Sequence, residues 1–325
     1  MSQTRGKTTP ASTNGSYAAH TGPRSRTEPA GPLTPDTVAR RSRELAGDRF
    51  TAGELAEQFY VTRLVDRVFT QPSDDDGVEW LLKGGMRQLA AARSGRHTSD
   101  ADLYTDLPIS EAIASLRARV EQDLGDGIEY RLRSAVPYDH HPDAAKVEFD
   151  IFVDGKPAGI SEVDVSTTIR TTCPPRTVDP YDPLKIDLPR PAKWRAYHPA
   201  DQLADKVAAT FETVAGRPSQ RFRDLVDIVL IASTQGVRAG ELRTAISTEM
   251  AARGMLTPAQ FDVPDHGAWS NGYEREAAML PELRNQGFAR SLAAAKRFLD
   301  PVMSGTVDPT WRWDRLAQTW KPLDH

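Results

Sequence analysis

The sequence has few of the features that mark secreted, membrane or strongly nucleic-acid-binding proteins. Its 325 residues include one cysteine, Cys173, which excludes an internal disulfide framework and fits a reducing cytosol. No stretch approaches the roughly 18 consecutive apolar residues of a membrane helix, and the first residues lack the apolar middle region of a signal peptide. The formal net charge is −4, so charge alone does not draw the molecule to nucleic acid. We therefore expect a cytoplasmic protein without membrane association, large enough for two domains.

The first part of the chain is poor in large apolar side chains. Residues 1–34 are rich in Ser, Thr, Pro, Gly and Ala, so burial cannot offset the entropy lost on ordering, and we predict a disordered tail. Thr34-Pro35-Asp36 is typical of a helix start, because proline is accepted in the first turn. Thr51-Ala-Gly-Glu54 is a capping-box pattern that opens a second helix. The acidic run at 74–76 follows that helix, and we interpret it as a solvated loop.

The stretch WLLKGGMRQLAAARSGRHTSDADLY, from Trp80 to Tyr104, is the most informative part of the sequence. Residues 78–82 are apolar and predict a short buried strand. Gly84-Gly85 follows directly, and an alanine-rich helix runs from 86 to 92, with Ser94-Gly95 as its stop. Two glycines at a strand-to-helix turn leave amide groups open to a ligand, and the helix start adds its positive end. The turn is therefore suited to a phosphate.

Two acids stand one residue apart at the end of this stretch. Residues two apart in a strand point the same way, so Asp100 and Asp102 would present two carboxylates on one face. Such a pair repels itself, and a divalent metal with oxygen ligands relieves the repulsion; Mg²⁺ is the natural choice, and Mn²⁺ can replace it. Taken singly, Gly-Gly is usually only a turn and Asp-x-Asp usually a solvated loop. Here the Gly-Gly turn precedes the Asp-x-Asp pair, and each lies beside an apolar strand. This arrangement favours a single site formed by both motifs.

This combination resembles the nucleotidyltransferase signature of the DNA polymerase β superfamily. The segment LLKGGMRQLAAARSGRHTSDADL is similar, more narrowly, to the first motif of the AbiEii-type nucleotidyltransferase toxins, which include the mycobacterial MenT toxins. The resemblance implies that Asp100 and Asp102 are catalytic and hold metal, and it implies nucleotide contacts from Lys83, Gly84, Gly85, Arg96, Thr98 and Ser99. In one departure, Met86 stands where the family often has Thr or Ser, which leaves the backbone amides and Ser99 to contact phosphate.

Sites of this type usually have a third carboxylate on a neighbouring strand. Residues 147–153 and 159–165 read as two strands joined by the hairpin turn Asp154-Gly155. Asp164 is favoured as the third catalytic and metal-binding acid, because in this family the last strand of the sheet tends to bring it. Asp150 is the alternative, and either one could instead be an outward-facing hairpin carboxylate.

The second half of the chain carries two further motifs. After a proline-rich crossover at 171–191, a helix is predicted from Pro199 to Gly216, followed by the helical segment SQRFRDLVDIVLIAS. They resemble the Ala-[Asp/Glu]-Lys and Arg-x-[Lys/Arg]-Asp-Leu-x-Asp-Ile motifs of the same toxins. The resemblance implies that Lys206 faces the nucleotide, where its compact charge suits a triphosphate, and that Asp224 or Asp227 is needed for activity. The plainer alternative is that these are surface charges.

The remaining residues predict structure more than function. Helices are expected at 236–254, 265–283 and 286–303, with Pro281 and Pro301 as breakers. The tail TWRWDRLAQTW is expected to pack a terminal segment onto the core, although aromatic and arginine neighbours also suit stacking on RNA bases.

Together these patterns predict an α+β fold. A small mixed β-sheet nucleotidyltransferase domain with N-terminal helices, at 35–192, precedes a mainly helical domain at 193–325. The resemblance implies a Mg²⁺-dependent nucleotidyltransferase that moves NMP from an NTP to the 3′ end of tRNA, as the toxin of a toxin–antitoxin system. It also implies a cognate DNA-binding antitoxin of the AbiEi type. The alternatives are a protein acceptor (NMPylation) and a catalytically inactive nucleotide-binding module.

Overall fold

The computed structural model describes residues 33–70, 79–93 and 96–323. Almost all of the predicted tail, the acidic run at 74–76 and the Ser94-Gly95 stop lie outside these ranges. Within them the chain is α+β with a mixed sheet, which confirms the predicted fold class. No described helix combines the length and apolar character that a membrane crossing requires.

The elements fall into a sheet-containing first half and a mainly helical second half. The first half comprises α1 (Pro35–Leu45), α2 (Ala52–Thr70), β1 (Leu81–Leu82), α3 (Gly84–Ala92), β2 (Asp100–Tyr104), α4 (Ile109–Val120), β3 (Ile128–Tyr138), β4 (His141–Val153), β5 (Lys156–Ser166), β6 (Arg176–Val178) and β7 (Trp194–Ala196). The second half comprises α5 (Pro199–Phe211), β8 (Thr213–Val214), β9 (Arg217–Pro218), α6 (Phe222–Thr234), α7 (Ala239–Ala252), α8 (His266–Ala278), α9 (Phe288–Met303), β10 (Arg312–Asp314) and β11 (Thr319–Lys321).

The predicted helix caps at the start of the chain are present. The hydroxyl of Thr34 accepts a hydrogen bond from the backbone N of Thr37 at 3.2 Å, which begins α1. The Glu54 carboxylate accepts from the backbone N of Thr51 at 2.8 Å, and the Thr51 hydroxyl accepts from the backbone N of Glu54 at 3.2 Å. This reciprocal pair is the capping box expected before α2.

The main sheet orders its strands β3-β4-β5-β2-β1-β7-β6. Strand β2 runs parallel to β5 and antiparallel to β1, and β1 runs parallel to β7, so the sheet is mixed. The β4–β5 hairpin is longer than predicted, but its turn is the expected one: Asp154 and Gly155 have φ of 50° and 70°. Strand β3 and helix α4 had no sequence prediction.

Three predictions for the helical half need correction. The helix expected at 265–283 spans His266–Ala278 and ends before Pro281. Helix α5 ends at Phe211 and not at Gly216, because the chain turns into the small β8–β9 hairpin, where Ala215 and Gly216 have positive φ. Pro301 lies inside α9, so the prediction that it breaks this helix is wrong. Proline removes one backbone donor, and the helix ends only two residues later, at Met303.

Most of the described buried apolar residues form two hydrophobic cores, one from residues 33–194 and the other from Cys173 and residues 200–320. One packs α2, α3 and α4 against the sheet, and the other joins α5 to α9. Trp313 and Trp320 are buried in the second core, with ring centroids 4.7 and 5.6 Å from that of Phe298. The tail therefore packs, as expected. A domain boundary at 192/193 stays a prediction.

A buried ionic network fixes α2 to the sheet. Arg63 and Arg67, both fully buried, bind the carboxylate of Asp126, which lies just before β3. Arg63 Nη1 also lies 2.6 Å from Asp66 Oδ2, and Trp194 Nε1 donates to Asp66 Oδ1 at 3.0 Å. Burial raises the pKa of Asp66 to about 6, because the neighbouring arginines offset only part of the desolvation.

Candidate active site

Sheet register brings three of the predicted acids together on one face of the main sheet. In the parallel β2–β5 pair, Asp102 faces Asp164 and Asp100 faces Glu162. Neighbouring strands lie about 4.8 Å apart, and side chains at facing positions share a face. Asp100, Asp102 and Asp164 therefore lie on the same side of two adjacent strands.

The alternative third acid, Asp150, occupies a different place. It lies on β4 opposite Ile160, four residue pairs along the β4–β5 ladder from Asp164. Its Oδ1 accepts a hydrogen bond from Arg133 Nη1 at 2.9 Å, and the pair is solvent-exposed. Among the two candidates, Asp164 is thus the one beside Asp102.

The glycine turn packs directly against the acids. Gly84 has φ of 61°, and a Cβ at this position would overlap the Asp102 carboxylate. A Cβ on Gly85 would lie 2.7 Å from the hydroxyl of Thr98. The backbone N of Lys83 donates to the carbonyl of Asp102 at 2.8 Å, which holds the turn against β2. The two glycines are therefore needed for close approach to the acidic strand.

The two predicted hydroxyl contacts differ in position. Thr98 is buried, and its hydroxyl donates to Asp100 Oδ1 at 2.8 Å, so it orients a carboxylate. Ser99 is exposed and lines a cavity of about 300 Å³ together with Asp100. A neighbouring cleft shares three lining residues with this cavity: Arg96, Arg223 and Glu276.

Nearby cations offset only part of the negative charge on the acids of β2 and β5. Burial and the nearby carboxylate of Asp100 raise the pKa of Asp102, and Asp164 raises it further. Lys83 and Lys206 act in the opposite direction without cancelling the effect. The phenol of Tyr138 donates to Asp164 Oδ1 at 2.5 Å. An all-oxygen set of mutually repelling carboxylates is what Mg²⁺ prefers, so these residues fit that ion.

Lys206 is held between the two predicted acids of α6. Its Nζ lies 3.1 Å from Asp224 Oδ1 and 2.6 Å from Asp227 Oδ2, and all three residues are buried. Burial by itself would lower the pKa of Lys206, but the two carboxylates outweigh it and raise the pKa. The surface-charge alternative is therefore wrong for these side chains. Both acids contact the lysine.

Two arginines, one from each half of the chain, contact the acids of α6. Arg221 donates to Asp224 Oδ2 at 2.7 Å, and Arg96 Nε lies 3.8 Å from Asp227 Oδ1. Burial raises the pKa of Asp224, but Lys206 and Arg221 outweigh it and lower the pKa overall. Asp224 is therefore held ionised by two cations.

A cleft of about 350 Å³ opens between these groups. Of the predicted site residues, it is lined by Lys83, Gly84, Gly85, Arg96, Asp102, Lys206 and Asp224. Thr98, Ser99, Asp100, Asp164 and Asp227 lie around it without lining it. Sequence analysis assigned no role to the other eight lining residues, which include Tyr197, Gln202, Arg221 and Arg223. The two arginines occupy the basic positions of the Arg-x-[Lys/Arg]-Asp motif, whereas Tyr197 and Gln202 carried no signal.

A second group of metal-type side chains lies elsewhere. Ligand-type atoms of Cys173, His198 and Asp201 lie within 4.8 Å of one another and are buried. Asp201 accepts from the backbone N and hydroxyl of Thr172, at 3.0 and 2.6 Å, and His198 Nδ1 accepts from the backbone N of Ala200. These bonds stabilise the start of α5. A thiol and an imidazole are not the ligands that Mg²⁺ prefers.

Comparison with known proteins identifies the family. A sequence model of the type IV toxin–antitoxin family of AbiEii nucleotidyltransferase toxins matches residues 67–319, which is most of the chain. The chain belongs to the AbiEii family. It is thus a nucleotidyltransferase toxin of a type IV toxin–antitoxin family, as the first motif predicted. A comparison with curated proteins gave no significant match.

Solved structures similar to this AbiEii toxin are distant in sequence. The nucleotidyltransferase toxin MenT4 of Mycobacterium tuberculosis H37Rv has 15% identity and a TM-score of 0.46; the match covers 85% of this chain and all of MenT4. A protein from H. pylori assigned as a nucleotidyltransferase has 11% identity and a TM-score of 0.46, with 77% and 94% of the two chains covered. An antigenic nucleotidyltransferase-like protein of Paracoccidioides brasiliensis has 15% identity and a TM-score of 0.36, with 60% and 89% covered.

Proposed function

We propose that this AbiEii toxin is a cytoplasmic, magnesium-dependent enzyme that transfers NMP from an NTP to the 3′ end of tRNA. We also propose that a DNA-binding antitoxin of the AbiEi type neutralises it. The observation that carries the chemistry is the placement of three carboxylates on β2 and β5 beside the glycine turn and Lys206. The tRNA acceptor and the antitoxin rest on the family resemblance.

The proposed metal site is formed by Asp100, Asp102 and Asp164, whose mutual repulsion a divalent cation would relieve. Mg²⁺ bound there supplies charge neutralisation of phosphate oxygens, and Mn²⁺ can take its place. Thr98 orients the Asp100 carboxylate and Tyr138 binds Asp164, so both side chains limit the directions that these oxygens can take. The acids are therefore positioned before substrate arrives.

The basic side of the cleft would bind the triphosphate. The amides at Gly84 and Gly85, the start of α3 and the ammonium of Lys206 place positive charge on one wall. Asp224 and Asp227 fix the ammonium, so Lys206 loses little freedom on binding phosphate. Arg221 and Arg223 line the same wall and can contact phosphate oxygens.

The reaction itself is an in-line displacement. A carboxylate of the acidic group accepts the proton of the acceptor hydroxyl, and the freed oxygen forms a bond to the α-phosphorus. The bond from the α-phosphorus to the bridging oxygen breaks, and pyrophosphate carries away the electron pair. Positioning and charge stabilisation supply most of the rate enhancement in such a site.

Label transfer tests this proposal. The full chain is incubated with Mg²⁺, each α-³²P-labelled NTP in turn, and either total tRNA or total cell protein. Label on tRNA that does not appear when the 3′-terminal ribose of the tRNA has been oxidised with periodate before the reaction would support the proposed acceptor. Label on protein alone would replace tRNA with a protein acceptor, and label on neither would contradict transferase activity toward both.

Two matched variants test which of the two candidate acids belongs to the active site. Asp164→Asn is expected to lower transfer by at least about a hundredfold, because it removes one charge from the acidic group. Asp150→Asn changes the other candidate, which faces solvent and Arg133, and should leave transfer within about twofold. Equal loss in both variants would contradict the assignment of the third acid.

A further inference from the structure

A second cavity lies beside α3, away from the cleft. It has a volume of about 320 Å³ and lies between α3, the β6–β7 edge of the sheet and the connection after α6. Its basic lining residues are Arg87, Arg93, Arg176 and Lys193, and we call it the Arg87 pocket. It shares no lining residue with the candidate active cleft.

Arg87 is unusual because its guanidinium is buried without a counter-ion. The residue is 1% exposed, and its Nε donates to the carbonyl of Tyr197 at 3.0 Å. Its Nη1 has no hydrogen-bond partner in the described part of the chain, and no carboxylate there pairs with it. A buried charge is costly unless it is paired. Burial and the neighbouring Arg176 lower the pKa of Arg87 to about 9, which reflects this lack of an anion.

The other cations of the pocket are also available. The side chain of Arg176, an exposed residue, makes no hydrogen bond or ion pair within residues 33–70, 79–93 and 96–323. Arg93 donates only to the carbonyl of Pro180, at 3.1 Å. The one acid lining the pocket, Asp179, is already bound to Lys193 Nζ. Within the described residues, three guanidinium groups therefore have no carboxylate at ion-pair distance, although Arg93 is near enough to help lower the pKa of Asp179.

We propose that the Arg87 pocket binds a phosphate group, at a site separate from the cleft. Guanidinium groups match phosphate oxygens with paired, charge-assisted hydrogen bonds, and a phosphate offers enough oxygens for several arginines at once. A bound phosphate would supply the missing counter-ion of Arg87. The phosphate belongs either to a small free compound or to the backbone of RNA. The inference does not depend on the proposed function.

Calorimetric titration with inorganic phosphate, at constant ionic strength and without Mg²⁺, tests the site. The double variant Arg93→Gln/Arg176→Gln changes two exposed arginines and should weaken binding at this pocket by about tenfold or more. Lys83→Met removes a cation from the cleft instead and is the matched control, which should retain this binding step. Affinity unchanged in the double variant, or lost only in Lys83→Met, would overturn the proposal.

Arg87→Met gives a second, independent measurement. Inorganic phosphate should raise the Tm of the wild-type chain and of Lys83→Met, and the rise should be clearly smaller in Arg87→Met, where only binding in the cleft remains. Circular dichroism checks that Arg87→Met is folded. If Arg87→Met is unfolded, phosphate binding by Arg93→Gln/Arg176→Gln decides whether the pocket binds phosphate. An equal phosphate-dependent rise in folded Arg87→Met would also overturn the proposal.

A binding experiment with RNA distinguishes the two sources of phosphate. Binding of a short fluorescent single-stranded RNA is measured over a range of salt concentrations. If the pocket holds backbone phosphates, the double variant should weaken RNA binding and reduce the slope of log K against log salt by about 1.4. If RNA binding is unchanged while phosphate binding is lost, the ligand is a small phosphate compound. Label transfer in the Asp164 assay is read separately, so the two proposals can fail independently.

Discussion

Asp102 and Asp164 face each other across two parallel strands, so their carboxylates cannot separate without breaking the sheet. We therefore expect Mg²⁺ to stabilise the fold. At a hundredfold excess over its Kd, the ion should add about 2.7 kcal/mol to the free energy of unfolding. Thermal unfolding with increasing MgCl₂ at constant ionic strength measures this. Asp164→Asn should lose most of the gain and Asp150→Asn should keep it; stabilisation that is equal in all three proteins would contradict a metal site at these acids.

Gly84 should tolerate no side chain. Alanine there has an unfavourable positive φ, and its Cβ would displace the Asp102 carboxylate, so transfer should fall by about a hundredfold or more. Gly155→Ala is the matched control. It has a similar φ of 70°, but open space surrounds the position. Both variants should lose about 1–2 kcal/mol of stability from backbone strain, whereas only Gly84→Ala should lose activity.

Removal of Lys206 should affect stability as well as transfer. Lys206→Met leaves the buried Asp227 without its closest cation, and we expect a loss of about 3–5 kcal/mol in urea unfolding. The double variant Lys206→Met/Asp227→Asn removes that uncompensated charge and should recover most of the stability. It should remain inactive, because the ammonium is absent. Activity that returned with stability would show that Lys206 has only a structural role.

Asp66 should make stability depend on pH in an unusual direction. Its pKa is about 6 in the folded protein against an ordinary value of 3.8, so the protonated acid is favoured by folding. Its contribution to the free energy of unfolding is complete below about pH 4 and is lost as the pH rises to about 6, by up to about 3 kcal/mol. Urea unfolding of Asp66→Asn should lack this fall, whereas the exposed-site control Asp36→Asn should retain it. Parallel wild-type and Asp66→Asn curves would refute the assignment.

The sequence was most informative where a local rule determines the structure. The capping box at Thr51 and the turn at Asp154-Gly155 form as predicted, because each depends on residues close in the chain. The first motif likewise predicted the proximity of Gly84 and Asp102, which are joined through one antiparallel strand pair. Short-range chemistry was therefore enough for half of the candidate site.

Long-range features needed the structure. The placement of Asp164, rather than Asp150, beside Asp102 depends on which strand β5 pairs with, and sequence offered only a family tendency. The two-carboxylate clamp on Lys206 depends on the packing of α5 against α6, which no spacing rule predicts. The local sequence indicates no special role for Arg87. Its burial arises from contact with β6 and β7, which are distant in the chain.

The cleft is lined by residues from both halves of the chain: Gly84 and Asp102 belong to the sheet half, and Lys206 and Arg221 to the helical half. The positions of these side chains relative to one another therefore depend on the packing of α3 against α6. Catalysis, however, tolerates misplacement of reacting groups by only about 1 Å. A small displacement between the two halves of this toxin should therefore abolish its activity before it unfolds the protein.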